Sequence, residues 1–301
     1  AKQIAGGREN VLLIEAERQL DTWELLEHPE TKCQMSNVPA GRGQMLVFKP
    51  SKKIEQICSR NNWQLLNPPA ELAGKIEEKI TQLSFLPELI DLFPKYEVTN
   101  FLIFKFSNFP FVIQFNNSHT GVGTHLIENE NQLNALKQKF PNREVRVTNF
   151  IDGPIFTNNN VVTNAGILIG NISYQITGLK PYTDNPFATV GNDWGIVKKI
   201  LTPRQIQQYN NIAVKVGHAL KTKGWKGLFG IDVIENKQTG QLYLLEINAR
   251  QPQSATYESQ LQQLVNNPLP SREGRGKGLN ADTLATNNNL KSKIATFEAH
   301  L

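Results

Sequence analysis

Gly-Leu-Phe-Gly-Ile-Asp-Val-Ile at 227–234 and Leu-Tyr-Leu-Leu-Glu-Ile-Asn-Ala-Arg at 242–250 flank the turn sequence Asn-Lys-Gln-Thr-Gly at 236–240. Two β-branched and aromatic runs around a glycine-containing turn predict a β-hairpin. Side chains two apart in a strand share a face, so Glu246 and Asn248 point the same way, as does Arg250 if the strand runs on. Pairing across the turn brings Asp232 opposite the 244–246 stretch, within a residue or so of register. Two carboxylates and an amide oxygen then converge, and hard oxygen donors at this density suit Mg²⁺. Arg250 beside them has the fork geometry to clamp a carboxylate or a phosphate. Spacing alone serves equally well an exposed sheet face with an Arg–Glu surface pair. The neighbours favour the ligand site. Tyr243, Leu245 and Ile247 are apolar and are predicted to face a core, and Leu242 and Leu244 on the polar face are apolar too. A charged cluster on a strand buried on both faces is costly unless a ligand compensates it.

Upstream of the hairpin, Thr202 is a predicted N-cap and Pro203 suits the first helical position. Ile206, Ile212, Ala213, Val216 and Leu220 then recur at helical spacing, and Gly224 ends the helix. Further back, Glu144 to Ile151 reads as a strand closed by Asp-Gly-Pro at 152–154, and short strands are predicted within 161–176. Residues 130–139 read as a helix. Two aromatic blocks, 101–106 and 111–115, read as strands, and 72–92 reads as helical throughout. In the first 70 residues, short apolar runs at 11–14, 45–48 and 63–66 alternate with a helical pattern in which Ile54, Ile57 and Cys58 share a face behind Ser51 as N-cap. Strands alternating with helices predict a parallel α/β arrangement. Residues 266–289, with Asn-Asn-Pro-Leu-Pro-Ser-Arg-Glu-Gly-Arg-Gly-Lys-Gly at 266–278, read as a disordered insertion, and 291–301 as helical.

Composition bounds the function. The 301 residues are 39% apolar and 20% charged, which supplies a core and excludes a wholly disordered chain. No apolar run reaches the ~18 residues of a membrane span. Residues 1–10 are polar, so no secretory leader is expected. Two cysteines, Cys33 and Cys58, make no disulfide framework, and the five histidines do not cluster with zinc spacing. The net charge of +5 is modest and dispersed. The basic cluster Arg272, Arg275 and Lys277 lies in a glycine-rich tract and reads as a solvated loop rather than a nucleic-acid site. A cytoplasmic protein acting on small molecules, with no nucleic-acid or membrane partner, is expected.

A second feature is Ser-His-Thr-Gly-Val-Gly at 118–123, between a strand and a helix. Small residues there let backbone N–H groups approach a phosphate. It is neither the dinucleotide fingerprint nor a P-loop, since the third glycine and the Gly-Lys-Ser are missing.

The order of these features resembles the ATP-grasp superfamily, in its Glu-x-Asn-x-Arg variant. The resemblance rests on Glu-Glu-Lys at 77–79, Phe-Val-Ile-Gln followed by Asn-Asn-Ser-His-Thr-Gly-Val-Gly within 111–123, Arg-Val-Thr-Asn-Phe-Ile-Asp-Gly at 146–153, and the hairpin motifs at 227–234 and 245–250. It covers about residues 74–260. It implies a small α/β region at 1–73, followed by two α+β subdomains, 74–153 and 154–301, that clasp ATP. It further implies a ligase that activates a carboxylate as an acylphosphate for attack by an amine or similar nucleophile, with Mg²⁺ as cofactor and Mn²⁺ as an alternative ion.

Carried across residue by residue, Lys79, on the helix before the aromatic strands, resembles the lysine that contacts the ATP phosphates. Ser118, Thr120, Gly121 and Gly123 resemble the flap over them. Thr148, Asn149, Phe150 and Ile151 resemble the hinge whose backbone holds adenine. Asp232, Glu246 and Asn248 resemble the metal ligands, and Arg250 the arginine that steadies the substrate or the phosphoryl group. Two positions depart from the pattern. Gln114 stands where a second lysine is usual and supplies no charge, so Gln114→Lys is expected to tighten ATP binding. Thr148 and Ile155 stand where the hinge glutamate and the acidic ribose ligand are usual. Two other readings stay open: an inert nucleotide binder of the same fold, and an adaptor whose polar hairpin is only a surface.

Overall fold

The computed structural model describes residue 12 and residues 14–36, 43–101, 108–116 and 123–266. Helices α1 (Thr22–Glu27) and α2 (Pro29–Ser36) precede two short strands, β1 (Gln44–Met45) and β2 (Gln64–Leu65), joined through helix α3 (Lys52–Arg60). The strands pair in parallel, as the alternating pattern predicts. Ser51 caps α3 by accepting the Ile54 N–H at 3.3 Å. Ile54, Ile57 and Cys58 bury their shared face against Leu26 and Val47. The strand expected at 11–14 is not formed by Leu12 or Ile14, and Val11 and Leu13 lie outside the described residues.

The single helix expected over 72–92 is broken into α4 (Ala70–Glu77), α5 (Thr81–Phe85) and a 3₁₀ turn, Pro87–Leu92. The cause of the first break is local. The Lys79 N–H leaves the helical ladder for the Asn116 carbonyl at 3.1 Å. The Asn116 side-chain oxygen accepts the Ile80 and Thr81 N–H groups at 2.8 and 3.2 Å, opening α5. Pro87 then forbids a continuous helix. Lys79 therefore stands in a break and not on a helix.

A four-stranded antiparallel sheet follows. Its strands are β3 (Tyr96–Asn100), β4 (Phe111–Phe115), β5 (Thr124–Ile127) and, after helix α6 (Glu130–Lys139), β6 (Glu144–Asn149), in the order β3-β6-β4-β5. Phe111, Ile113, Phe115, Val145 and Val147 point to one side and close a core with Phe101, Ile127 and Leu133. The strand expected at 101–106 lies outside the described residues except for Phe101, and β3 is an addition to the sequence reading.

The larger sheet holds β7 (Ile155–Val162), β8 (Ile167–Leu168), β9 (Ser173–Thr177), β10 (Thr189–Asp193), β11 (Gly227–Glu235) and β12 (Leu242–Asn248). The order is β10-β9-β7-β11-β12, with β8 on β7, and every pairing is antiparallel. Between β10 and β11 lie the short helix α7 (Val197–Ile200) and the long α8 (Pro203–Thr222), which Thr202 and Gln205 open with a reciprocal capping box. Tyr209, Ile212, Ala213, Val216 and Leu220 of α8 pack on Phe156, Phe229, Ile231, Val233, Leu244 and Ile247 of the sheet. The opposite face is covered at one end by α9 (Ala255–Asn266), where Ala255 meets Val161 and Leu228. Beyond Asn266, the expected insertion and terminal helix lie outside the described residues. No helix among the described residues is long and apolar enough to cross a membrane.

Residues 150–154 carry the chain from one sheet to the other. Gly153 passes so close to β11 that a Cβ there would collide with the Glu235 carbonyl oxygen. Gly74, inside α4, has nothing within 4 Å of where its Cβ would stand. The two glycines should therefore respond oppositely to alanine. Gly74→Ala should stabilise by about 0.5–1 kcal/mol from helix propensity. Gly153→Ala should destabilise by about 2 kcal/mol or more, since backbone must shift. For a chain of this size about 2–4 °C of Tm corresponds to each kcal/mol. Calorimetric melting of both variants checks the pair, and a Gly153→Ala protein melting with the parent would contradict the crossing geometry.

Candidate active site

The register of β11 on β12 decides which side chains meet. Ile231 pairs with Ile247 and Asp232 with Glu246, but Val233 pairs with Leu244. Leu245 is thus one extra residue, a β-bulge. Beyond it the faces of β12 exchange. Leu242, Leu244, Ile247 and Ala249 all face the core, whereas Tyr243 and Leu245 are only partly buried. The sequence reading put Tyr243, Leu245 and Ile247 on one core face. A strict two-residue alternation fails there because the bulge shifts its phase. The same bulge lets Glu246 stand directly opposite Asp232 while the leucines stay in the core.

Around that pair the structure collects most of the sequence-nominated charges. The Lys79 ammonium lies 2.9 Å from Glu246 Oε2 and is almost fully buried. Asn248 Nδ2 donates to Asp232 Oδ2 at 3.2 Å, and Asn248 Oδ1 accepts from Arg250 Nη1 at 2.6 Å. Arg250 Nη1 also donates to Glu77 Oε1 at 2.7 Å, and Lys49 ion-pairs with the same carboxylate. Gln175 Nε2, from β9, donates to Asp232 Oδ1 at 2.8 Å. Among the described residues no cluster of three His, Cys, Asp or Glu side chains forms. The candidate donor set is two carboxylates and an amide.

Burial, followed by the neighbouring Glu246 charge, pushes the Asp232 pKa up to about 6. For Glu246 burial is again the largest single influence and opposes ionisation. Lys79, with Arg250 and Arg146, outweighs it and brings the pKa below the ordinary glutamate value. The pair therefore titrates in two separated steps, with Asp232 the later to ionise.

Gln114 lies on β4 directly across from Arg146 on β6. Its Oε1 accepts from Arg146 Nε at 2.9 Å and also from Arg146 Nη2. The charge absent at position 114 is thus present on the adjacent strand. A lysine at 114 would remove that acceptor and set a second cation beside the guanidinium, so the geometry argues against the gain expected from Gln114→Lys. Arg146 is almost wholly buried, and burial lowers its pKa to about 10, against the field of Glu246 and Tyr96.

The other nominated residues are distributed as follows. Thr148 and Asn149 end β6, and Phe150 and Ile151 begin the crossing to β7. Asp152 forms a surface ion pair with Lys237, as suits a turn residue. Gly123, just before β5, accepts the Phe115 N–H at 3.0 Å. Ser118, Thr120 and Gly121 lie outside the described residues.

Sequence reasoning missed Glu77, Arg146 and Gln175 as members of this cluster. Glu77 was in view within the Glu-Glu-Lys motif. Arg146 and Gln175 sit in alternating strands, where a polar residue reads as solvent-facing. The strand 144–149 is in fact buried on both faces through its middle.

No protein-family model and no curated protein matches the sequence. Solved structures do. Over 69% of this chain and 53% of the other, it superposes on an N5-carboxyaminoimidazole ribonucleotide synthetase solved with ADP, at 13% identity and a TM-score of 0.52. It superposes on Rhizobium etli pyruvate carboxylase over 84% of this chain and 23% of that one, at 12% identity and a TM-score of 0.57. The D-alanyl-alanine synthetase A of Vibrio cholerae matches over 65% of this chain and 61% of that one, at 16% identity and a TM-score of 0.50. The chain thus spans between half and two thirds of the length of the two synthetases. These likenesses establish the fold: the chain has the ATP-grasp fold.

The raised pKa of Asp232 has a measurable sign. The folded value, about 6, exceeds the unfolded value of about 3.9, so folding takes up a proton. The stability this group contributes is complete below about pH 4 and is lost as pH rises through about 6. In the presence of a chelator, the wild type should therefore lose stability relative to Asp232→Asn between pH 4.5 and pH 7. Parallel melting curves would contradict the burial of a charged pair at this site.

Proposed function

We propose that this chain is an ATP- and Mg²⁺-dependent ligase, which activates a small-molecule carboxylate as an acylphosphate for attack by an amine or similar nucleophile. The observation that carries the reading is the cross-strand pair Asp232–Glu246, with Asn248 on the next position of the same face and Lys79 and Arg250 against them. The division of residues 74–301 into two clasping subdomains at about 153 belongs to this proposal.

The donor chemistry fits a divalent ion. Asp232 and Glu246 are adjacent carboxylates, and burial followed by the neighbouring Glu246 charge raises the Asp232 pKa. Asn248 adds a neutral oxygen. These three residues would hold Mg²⁺, or Mn²⁺ with the same donors, and such an ion supplies charge neutralisation to a phosphoryl group.

The chain's own residues do the rest by position. Glu77 and Asn248 fix the Arg250 guanidinium before any substrate arrives, so its remaining donors are oriented for a carboxylate or phosphoryl oxygen. Lys79 ion-pairs with Glu246 and is assigned to a phosphate oxygen. The backbone of Thr148, Asn149, Phe150 and Ile151 is assigned to adenine. Gln114 and the loop residues Ser118, Thr120, Gly121 and Gly123 are assigned to the phosphates. No general base is assigned, because phosphoryl transfer depends mainly on positioning and charge neutralisation.

Mg-ATP at about 100 times its Kd should stabilise the fold by about 2.7 kcal/mol. With a carboxylate and an amine present, ADP and phosphate should be released. Glu246→Gln should cut that turnover by at least about 100-fold and weaken Mg²⁺ binding measured by calorimetry, with cooperative melting retained. Turnover at the parent rate in that variant would overturn the metal assignment. Thermal stabilisation without product release from any carboxylate would identify an inert nucleotide binder instead. The absence of any Mg-ATP effect would identify a polar surface.

A further inference from the structure

Arg146 is the least explained charge in the cluster. It is 2% exposed, so its guanidinium has been taken out of water. Among the described residues its hydrogen bonds go only to neutral acceptors: Nε and Nη2 to Gln114 Oε1, and Nη2 to the Leu245 carbonyl at 3.2 Å. Nη1 is buried and has no hydrogen-bond partner among the described residues. The other cations of the cluster are matched, Lys79 by Glu246 and Arg250 by Glu77. A buried cation with an orphaned donor is costly unless something in the working protein completes it.

The surroundings say what completes it. Leu245 is the bulged residue beside Glu246, so the guanidinium lies between the four-stranded sheet and the carboxylate pair on the larger one. Phe93 covers it, with the ring centroid 5.6 Å away. Its one described hydrogen bond to the larger sheet is that to Leu245. A planar fork beside a candidate divalent-ion site matches a polyphosphate, the ligand that needs side-chain cations and a metal together.

We propose that Arg146 is an anion-binding residue of the cluster. It takes the polyphosphate of the nucleotide, and Gln114 positions it by gripping its Nε and Nη2 from the neighbouring strand. The assignment rests on the nucleotide-dependent reading above. It moves the phosphate contact from Gln114 itself to the arginine that Gln114 holds.

The test uses inorganic tripolyphosphate, adenosine and ATP as separate calorimetric probes, each with Mg²⁺. Arg146→Gln should weaken tripolyphosphate and ATP at least ten-fold and leave adenosine unchanged. Gln114→Glu, isosteric with the parent, keeps the acceptor and gives Arg146 an internal anion. It should raise the Tm of the ligand-free protein while weakening tripolyphosphate at least ten-fold, which decides the matter if Arg146→Gln fails to fold. Wild-type protein that ignores tripolyphosphate, or binds it equally in both variants, would overturn the proposal. So would a Gln114→Glu protein that melts no higher than the parent, since its new charge would then be unpaired. If tripolyphosphate binding depends on Arg146 but ATP is never turned over, the ligase reading falls and the anion site stands. If ATP is turned over with an unchanged KM in Arg146→Gln, the anion site falls and the ligase reading stands.

Discussion

One extra residue, Leu245, sets the geometry on which the cluster depends. Without the bulge, the pattern of β12 would have to choose between keeping Leu242 and Leu244 in the core and keeping Ile247 and Ala249 there. With it, both pairs are buried and Glu246 still faces Asp232. Burying the leucines anchors the hairpin in the main core, and that anchoring holds two like charges side by side where they would otherwise separate. The bulge also places the Leu245 carbonyl where Arg146 reaches it from the other sheet.

The charges gathered there are held by partners far apart in sequence. The motif Glu77-Glu78-Lys79 shows how economically this is done. Glu77 binds Arg250 and Lys49, Glu78 accepts from Thr81 and Asn116, and Lys79 reaches Glu246. The three side chains diverge because the helix stops at Glu77 and the backbone turns before α5. The break, made by Asn116, is therefore part of the site's construction.

Polar residues also fill the interior of β7. Asn158 and Asn160 exchange amide hydrogen bonds on the α8 side, where the Tyr209 hydroxyl joins them. Asn159 turns the other way, to Ser254 and the buried Glu258 of α9. A central strand covered on both faces by helices tolerates such residues only because each amide is paired. The network ties both helices to the strand that carries Thr157, whose hydroxyl donates to the Ile231 carbonyl beside Asp232.

The local elements were legible in the sequence: the Ser51 and Thr202 caps, the helices at 52–60, 130–139 and 203–222, the strand 111–115 and the hairpin. So was the Asp232, Glu246 and Asn248 grouping, because it lies within one hairpin. These are properties of short-range periodicity and of turn chemistry, which act over a few residues. The sequence did not reveal β3, the break at Lys79, the bulge at Leu245, or the roles of Glu77, Arg146 and Gln175. Arg146 stands between two valines in the sequence, and it is a buried cation because β3, β4 and β12 close around it. The Arg250–Glu77 pair joins residues 173 positions apart. Local pattern determined the capped helices, the strand 111–115 and the hairpin. Tertiary packing alone decided which polar side chains lost their water, and hence which charges must find one another, because desolvation depends on what covers a group and not on its neighbours in the chain.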